Sequence, residues 1–191
     1  MLKQRTCNVK QLFLIALFLP MLCATGYSQL MVTKRIGKNA SQSQLGFGLF
    51  AYYEFPLQSS ENKSLRIELL DVGFYPPKSD TLRIPIAYIS IKVGYKYIFS
   101  ETKTGFYVEP QVGYGRVVSN NPDNYSTQAS YGDGIALAME VGYSLEVGQR
   151  GHAINFGLKY EADLAGSQNS MGSVGFRVSY AFNMFRKRDS Y

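Results

Sequence analysis

Residues Ala87 to Phe99 read AYISIKVGYKYIF. One parity of this run is Ala87, Ile89, Ile91, Val93, Tyr95, Tyr97 and Phe99; the other is Tyr88, Ser90, Lys92, Gly94, Lys96 and Ile98. Successive side chains of a β-strand point to opposite faces, so the run has one apolar and one polar face. It is also about twice the usual strand length in soluble proteins, which peaks at about 5–6 residues. A long strand with an unbroken apolar face suits the wall of a membrane-spanning β-barrel.

The pattern repeats downstream. Phe106 to Val118 sets Phe106, Val108, Val112 and Tyr114 against Tyr107, Glu109, Gln111, Gly113 and Gly115. Ile135 to Val147 is the most regular, with Ile135, Leu137, Met139, Val141, Tyr143, Leu145 and Val147 opposed by Ala136, Ala138, Glu140, Gly142, Ser144 and Glu146. His152 to Leu164 and a last run from Val174 to Asn183 follow the same rule, and no helical period fits these segments as well.

The first half of the chain is less regular. Leu45 to Phe55 alternates, but Phe50 and Tyr52 must then face inward. In Leu65 to Tyr75 the phase slips at Leu69 and Leu70, as a β-bulge would make it do. A first strand over Leu30 to Gly37 has the weakest pattern, because Lys34 and Arg35 are adjacent. Parity supports it: single-chain bacterial barrels have even strand numbers, and including this segment gives eight. The expected fold is therefore all-β, an eight-stranded antiparallel transmembrane β-barrel in up-and-down meander order.

Connections then sort into short periplasmic turns near Pro56 to Lys63, Ser100 to Thr104 and Gly148 to Gly151, and outer loops over Lys38 to Gln44, Pro76 to Ile84, Ser119 to Asp133 and Ala165 to Gly172. Tyr53, Phe55, Tyr95, Tyr97, Phe99, Phe106, Tyr180, Phe182 and Phe185 cluster at strand ends on the periplasmic side, as an interfacial aromatic girdle.

The N-terminus carries Lys3, Arg5 and Lys10, an apolar stretch from Leu12 to Leu22, and an exit through Ala24, Gly26 and Ser28. This is the layout of a secretory signal peptide, taken as residues 1–28 with cleavage after Ser28; a cut after Ala24 is the alternative. The apolar stretch is too short for a spanning helix. Leu22 stands where a lipoprotein signal needs a small residue before its cysteine, which argues against lipid attachment at Cys23. Cys7 and Cys23 are the only cysteines, so the mature chain has no disulfide, thiolate metal site or cysteine nucleophile. The full chain has 20 Lys and Arg against 14 Asp and Glu, and loss of three leader cations leaves 17 against 14. The residual excess is too small to indicate nucleic acid as a partner. The remaining domain is one barrel, 29–185, followed by a short basic tail, 186–191. Mean hydropathy is −0.13, as expected when each strand hides an apolar half behind a polar one.

With these segments in place, the chain resembles the outer-membrane β-barrel domain family, the small eight-stranded group related to OmpA and OmpX. Within that group it looks most like the version whose secretion-linked member is called PorT. The matching pieces are GLFAYYEF from Gly48 to Phe55, RIELLDVG from Arg66 to Gly73, the Ile84-Pro85-Ile86 step, and GFYVEPQVGYG from Gly105 to Gly115. A monomer is the default expectation, and the resemblance implies outer-membrane location and barrel architecture, hence a lipid surround. It also implies insertion by the barrel assembly machinery, read from a C-terminal signal at Tyr180 and Phe182. It implies no reaction and no cofactor.

An eight-stranded barrel has room inside only for its own side chains. The inward parity supplies Lys92, Lys96, Glu109, Glu140, Lys159, Glu161 and Arg177, nearly balanced in sign, so the expected lumen is plugged by ion pairs. A narrow ion path is the competing use of the same residues. The only histidine, His152, has Ile154 rather than serine two residues on along its face, which argues against the His and Ser pair of a lipid hydrolase. Asp123, Asp133 and the neighbouring asparagines lack calcium-loop spacing, so no metal site is expected. Tyr125 and Tyr131 make the 119–133 loop the candidate surface for a protein or glycan partner. The expected role is a non-enzymatic envelope protein. A secretion or envelope-assembly component and a lipid-modifying enzyme are the functional alternatives, and a soluble lipocalin-like barrel is the alternative fold.

Overall fold

Each alternating run forms a strand. In the computed structural model, which describes residues 27–37, 40, 43–57, 62–78, 86–120, 129–147, 152–164 and 171–181, they are β1 (Tyr27–Ile36), β2 (Gly46–Pro56), β3 (Lys63–Tyr75), β4 (Ile86–Ile98), β5 (Gly105–Asn120), β6 (Ala129–Val147), β7 (His152–Asp163) and β8 (Met171–Ala181). Consecutive strands pair antiparallel, and β1 pairs with β8 to close an eight-stranded barrel. Closure removes both sheet edges, which a bilayer demands because it offers no water to unpaired backbone groups.

The two faces are inverted relative to a soluble protein. Leu30, Ile91, Val112, Ile135, Leu158 and Phe176 point outward with 50–70% of their surface exposed, while charged side chains fill the interior. A lipocalin-like barrel would have the opposite arrangement, so the soluble alternative fails here. Apolar surface on this scale around a whole barrel is explained by lipid.

The weak first segment is a true strand. Lys34 faces out and Arg35 faces in, which is how two adjacent cations fit an alternating strand. It begins earlier than expected: Tyr27 and Ser28, on the leader side of the expected cleavage point, pair with Tyr52 and Ala51. Gln29 already bridges the barrel seam, opposite Phe50 on β2 and Ser179 on β8. At the other end of β1 the chain turns at Gly37, whose φ of 95° suits a residue without a Cβ.

The phase slip in β3 is a bulge. Register shifts between Ala51 and Tyr52 on the β2 side and between Glu68 and Asp71 on the β4 side. Leu69 is the extra residue, half exposed on the outer surface. Before it, Ser64, Arg66 and Glu68 face inward; after it, Asp71, Gly73 and Tyr75 do. Deleting Leu69 would leave Glu68 opposite Tyr52 and Leu70 opposite Ala51, with unbroken alternation. We expect that variant to fold, still migrating faster unboiled than boiled on a gel. Its failure would mean that the local bend at the bulge is itself required.

One expectation needs correction. The sequence predicts a loop over Ser119 to Asp133, but β5 continues to Asn120 and β6 begins at Ala129, with Val118 opposite Tyr131 and Asn120 opposite Ala129. Beyond the bilayer the hairpin is held by backbone pairing and no longer needs an apolar face, so composition did not reveal it. This hairpin rises past β7, whose last partner on β6 is Ala136 opposite Asp163. Aromatic contacts gather at the short-turn end, in the pairs Tyr53 with Phe55, Tyr97 with Phe99 and Phe106 with Tyr143. A further stacked pair, Phe47 with Phe74, lies at the opposite end. Residues 1–26, including most of the expected leader, lie outside the described residues, as do Phe182, Phe185, the 186–191 tail and Tyr125.

Candidate functional site in the barrel lumen

Alternation alone sends Lys92, Lys96, Glu109, Glu140, Lys159, Glu161 and Arg177 inward, and all seven are buried in the lumen. Four partners not anticipated from the sequence complete the set: Glu54, Arg66, Glu68 and Asp71. Glu68 and Asp71 are three residues apart, yet both face inward because the Leu69 bulge absorbs the odd residue. A Glu and an Asp flanking a Leu-Leu pair at a phase slip was the available signal. Glu54 and Arg66 were hidden by the large aromatic residues of β2 and by the irregular start of β3.

The central cluster crosses the barrel. Lys92 Nζ lies 2.8 Å from Asp71 Oδ2, 2.8 Å from Glu161 Oε1 and 3.2 Å from Glu68 Oε1. From the opposite wall, Lys159 Nζ reaches Asp71 Oδ2 at 2.7 Å, Glu161 Oε2 at 3.0 Å and Glu68 Oε1 at 3.2 Å. Arg177 joins this cluster to the next by donating to Glu68 Oε2 at 2.9 Å and Glu140 Oε2 at 2.8 Å. The bulge therefore supplies the two carboxylates on which three cations converge.

Toward the short-turn end, Arg66 pairs with Glu109 at 2.7 Å and Glu54 at 3.3 Å, while Ser64 donates to Glu54 at 2.6 Å. Lys96 donates to Asn155 Oδ1 at 2.8 Å, and Asn155 donates onward to Ser179 at 3.0 Å. Across both clusters the ion pairs use five cations, Arg66, Lys92, Lys96, Lys159 and Arg177, and six carboxylates, Glu54, Glu68, Asp71, Glu109, Glu140 and Glu161. Phenols support the acidic side: Tyr88 donates to Glu161 and Tyr107 to Glu140. Aromatic faces support the cationic side, with Arg177 3.2 Å above the Phe50 ring and Arg66 4.0 Å above that of Tyr52. Phe50 and Tyr52 thus break the apolar-outward pattern because they face inward as platforms for guanidinium groups.

Backbone packing makes room for the network. Gly142 and Gly157 are opposed on β6 and β7, and a Cβ on either would approach the Tyr107 hydroxyl to 2.7 Å. A Cβ on Gly157 would also collide with Glu140 Oε1. Above the central cluster, Tyr75, Tyr88 and Val117 pack with Ile86 into an apolar layer toward the long-connection end.

The remaining candidates do not converge on this site. His152 stacks against Tyr180 on the outer wall, with ring centroids 5.8 Å apart. Asp133 accepts hydrogen bonds from Tyr114 at 2.7 Å and Arg116 at 3.2 Å at the base of the projecting hairpin. Among the described residues, no group of three or more His, Cys, Asp or Glu is placed to hold a metal ion.

A closed eight-stranded meander, apolar outside and ionic inside, defines a class: this is a small transmembrane β-barrel of the outer-membrane type. Its architecture is that of the OmpA and OmpX group. No family model and no curated protein matches the chain. Solved structures similar to it include the N-terminal β-barrel domain of Pseudomonas aeruginosa OprF, at 14% identity and a TM-score of 0.48, covering 82% of this chain and 96% of that one. The attachment invasion locus protein Ail of Yersinia pestis is similar at 16% identity and a TM-score of 0.45, covering 82% and 95%. The outer membrane enzyme PagL is similar at 13% identity and a TM-score of 0.47, covering 84% and 100%.

Proposed function

We propose that the protein is a non-enzymatic outer-membrane barrel whose lumen is a closed structural plug and whose binding role lies in the projecting connections. The observation that carries this reading is the cross-lumen set of ion pairs. Lys92 and Lys159 from opposite walls share Glu68, Asp71 and Glu161, all five buried, and ion pairs spanning so narrow a lumen support a closed plug. The lumen residues act as one unit, and the β5–β6 hairpin is the surface offered to a protein or glycan. Export by the N-terminal leader and insertion directed by Tyr180 and Phe182 belong to the same proposal. A PorT-like place in secretion or envelope assembly is its narrower form, in which the hairpin or the basic tail would hold a protein partner.

Planar-bilayer recording from the purified, heat-modifiable protein tests the plug. The expected result is no stepwise conductance above the bare bilayer. Steady channel openings in the wild-type protein would overturn the proposal and favour the ion path.

A further inference from the structure

A second site lies on the outer wall, at the end of the barrel that carries the long connections. A cleft of about 400 Å³ is lined there by Lys34, Ala40, Ser43, Gln44, Leu45 and Lys78. We propose that it binds the phosphorylated headgroup of an anionic lipid in the leaflet surrounding that end of the barrel. This inference rests on the membrane reading of the fold.

The residues place the cleft where a lipid headgroup sits. Lys34 is on the outward parity of β1, and Leu45, next to β2, is 60% exposed. Thr33 pairs with Gly46, so Lys34 and Leu45 come next along their neighbouring strands. One step toward the bilayer, Phe47 and Phe74 are register partners on the outer face, their rings stacked at 5.8 Å. The wall thus changes from an aromatic and leucine surface suited to acyl chains to two ammonium groups suited to phosphate, Lys34 level with Leu45 and Lys78 four positions beyond Phe74.

The cleft is also built rather than incidental. Ser43 forms a bridge with Pro77, the Gln44 backbone donates to the Pro76 carbonyl at 2.8 Å, and its side chain donates to the Pro77 carbonyl at 3.1 Å. These bonds tie the segment before β2 to the segment after β3 and so fix Lys78 on the same cleft as Lys34. Among the described residues neither lysine takes part in an ion pair, whereas every lysine in the lumen does. Two cations held at one rim, with no carboxylate paired to them among the described residues, suit an anion from outside the chain.

Native mass spectrometry of the full-length protein in detergent gives the test, with phosphatidic acid as the probe, phosphatidylcholine as the comparison lipid and inorganic phosphate as the competitor. Phosphatidic acid should bind about tenfold more tightly than phosphatidylcholine. The preference should vanish in the Lys34→Gln/Lys78→Gln double variant and persist in Lys103→Gln, which alters the opposite end of the barrel. Heat-modifiable mobility checks that each variant is folded. Equal binding of the two lipids, an unchanged double variant, or displacement of the lipid by inorganic phosphate at the same concentration would each overturn the lipid site. Failure of the protein to enter bilayers would instead overturn the membrane reading, so the two failures are separable.

Discussion

Replacing Arg177 with methionine is expected to destabilise the barrel by about 3–5 kcal/mol, the usual cost of removing one partner from a buried charge network. The methionine retains much of the stem that packs on Phe50 but withdraws the guanidinium from Glu68 and Glu140. Glu68 would keep Lys92 and Lys159, whereas Glu140 would be left with the Tyr107 phenol. Most of the penalty therefore falls on Glu140, and adding Glu140→Gln to Arg177→Met should recover part of it. Urea titration of refolded protein, with the folded fraction read from unboiled gel mobility, measures both variants. A change in Arg177→Met of less than about 0.5 kcal/mol, typical of a surface substitution, would show that the lumen is wet enough to screen its charges, and the plug would fall with it.

The same cluster shows how far the sequence could be read. Alternation in β4 to β8 was strong enough to assign inward and outward faces residue by residue, because each strand there keeps one phase from end to end. It placed Lys92, Lys96, Glu109, Glu140, Lys159, Glu161 and Arg177 in the lumen. It could not complete the balance, since the carboxylates that hold Lys92, Lys159 and Arg177 together lie on either side of a phase change. A single-phase reading of β3 must put either Glu68 or Asp71 in lipid, and only the paired register of β2 and β4 shows Leu69 as the inserted residue. The projecting arms of β5 and β6 escaped for a different reason. Outside the bilayer no face need be apolar, so the strand leaves no hydrophobic period to detect. The cleft at Lys34 and Lys78 was illegible because its two cations come from segments 44 positions apart, joined by backbone bonds to Pro76 and Pro77.

Val141→Arg tests the outside of the barrel as Arg177→Met tests the inside. Val141 faces outward between Val108 on β5 and Leu158 on β7, with 48% of its surface exposed. Along β6 it lies between the polar Asp133 and the strand's end at Val147, close to the centre of the apolar span. An arginine at the bilayer midplane should cost about 2–4 kcal/mol, falling toward zero near either interface. The penalty should therefore be larger for Val141→Arg than for Leu145→Arg, closer to the short turns. It should also depend on lipid: a thinner bilayer brings water and headgroups nearer to position 141 and lowers the cost. The same barrel with its outer wall in water would show neither the depth order nor the lipid dependence, because an arginine exchanged onto a hydrated surface changes stability by only about 0.5 kcal/mol in either direction. The two substitutions are complementary in sign. Removing a charge from position 177 and adding one at position 141 should both destabilise, which only a protein with its ionic groups inside and its apolar groups outside requires.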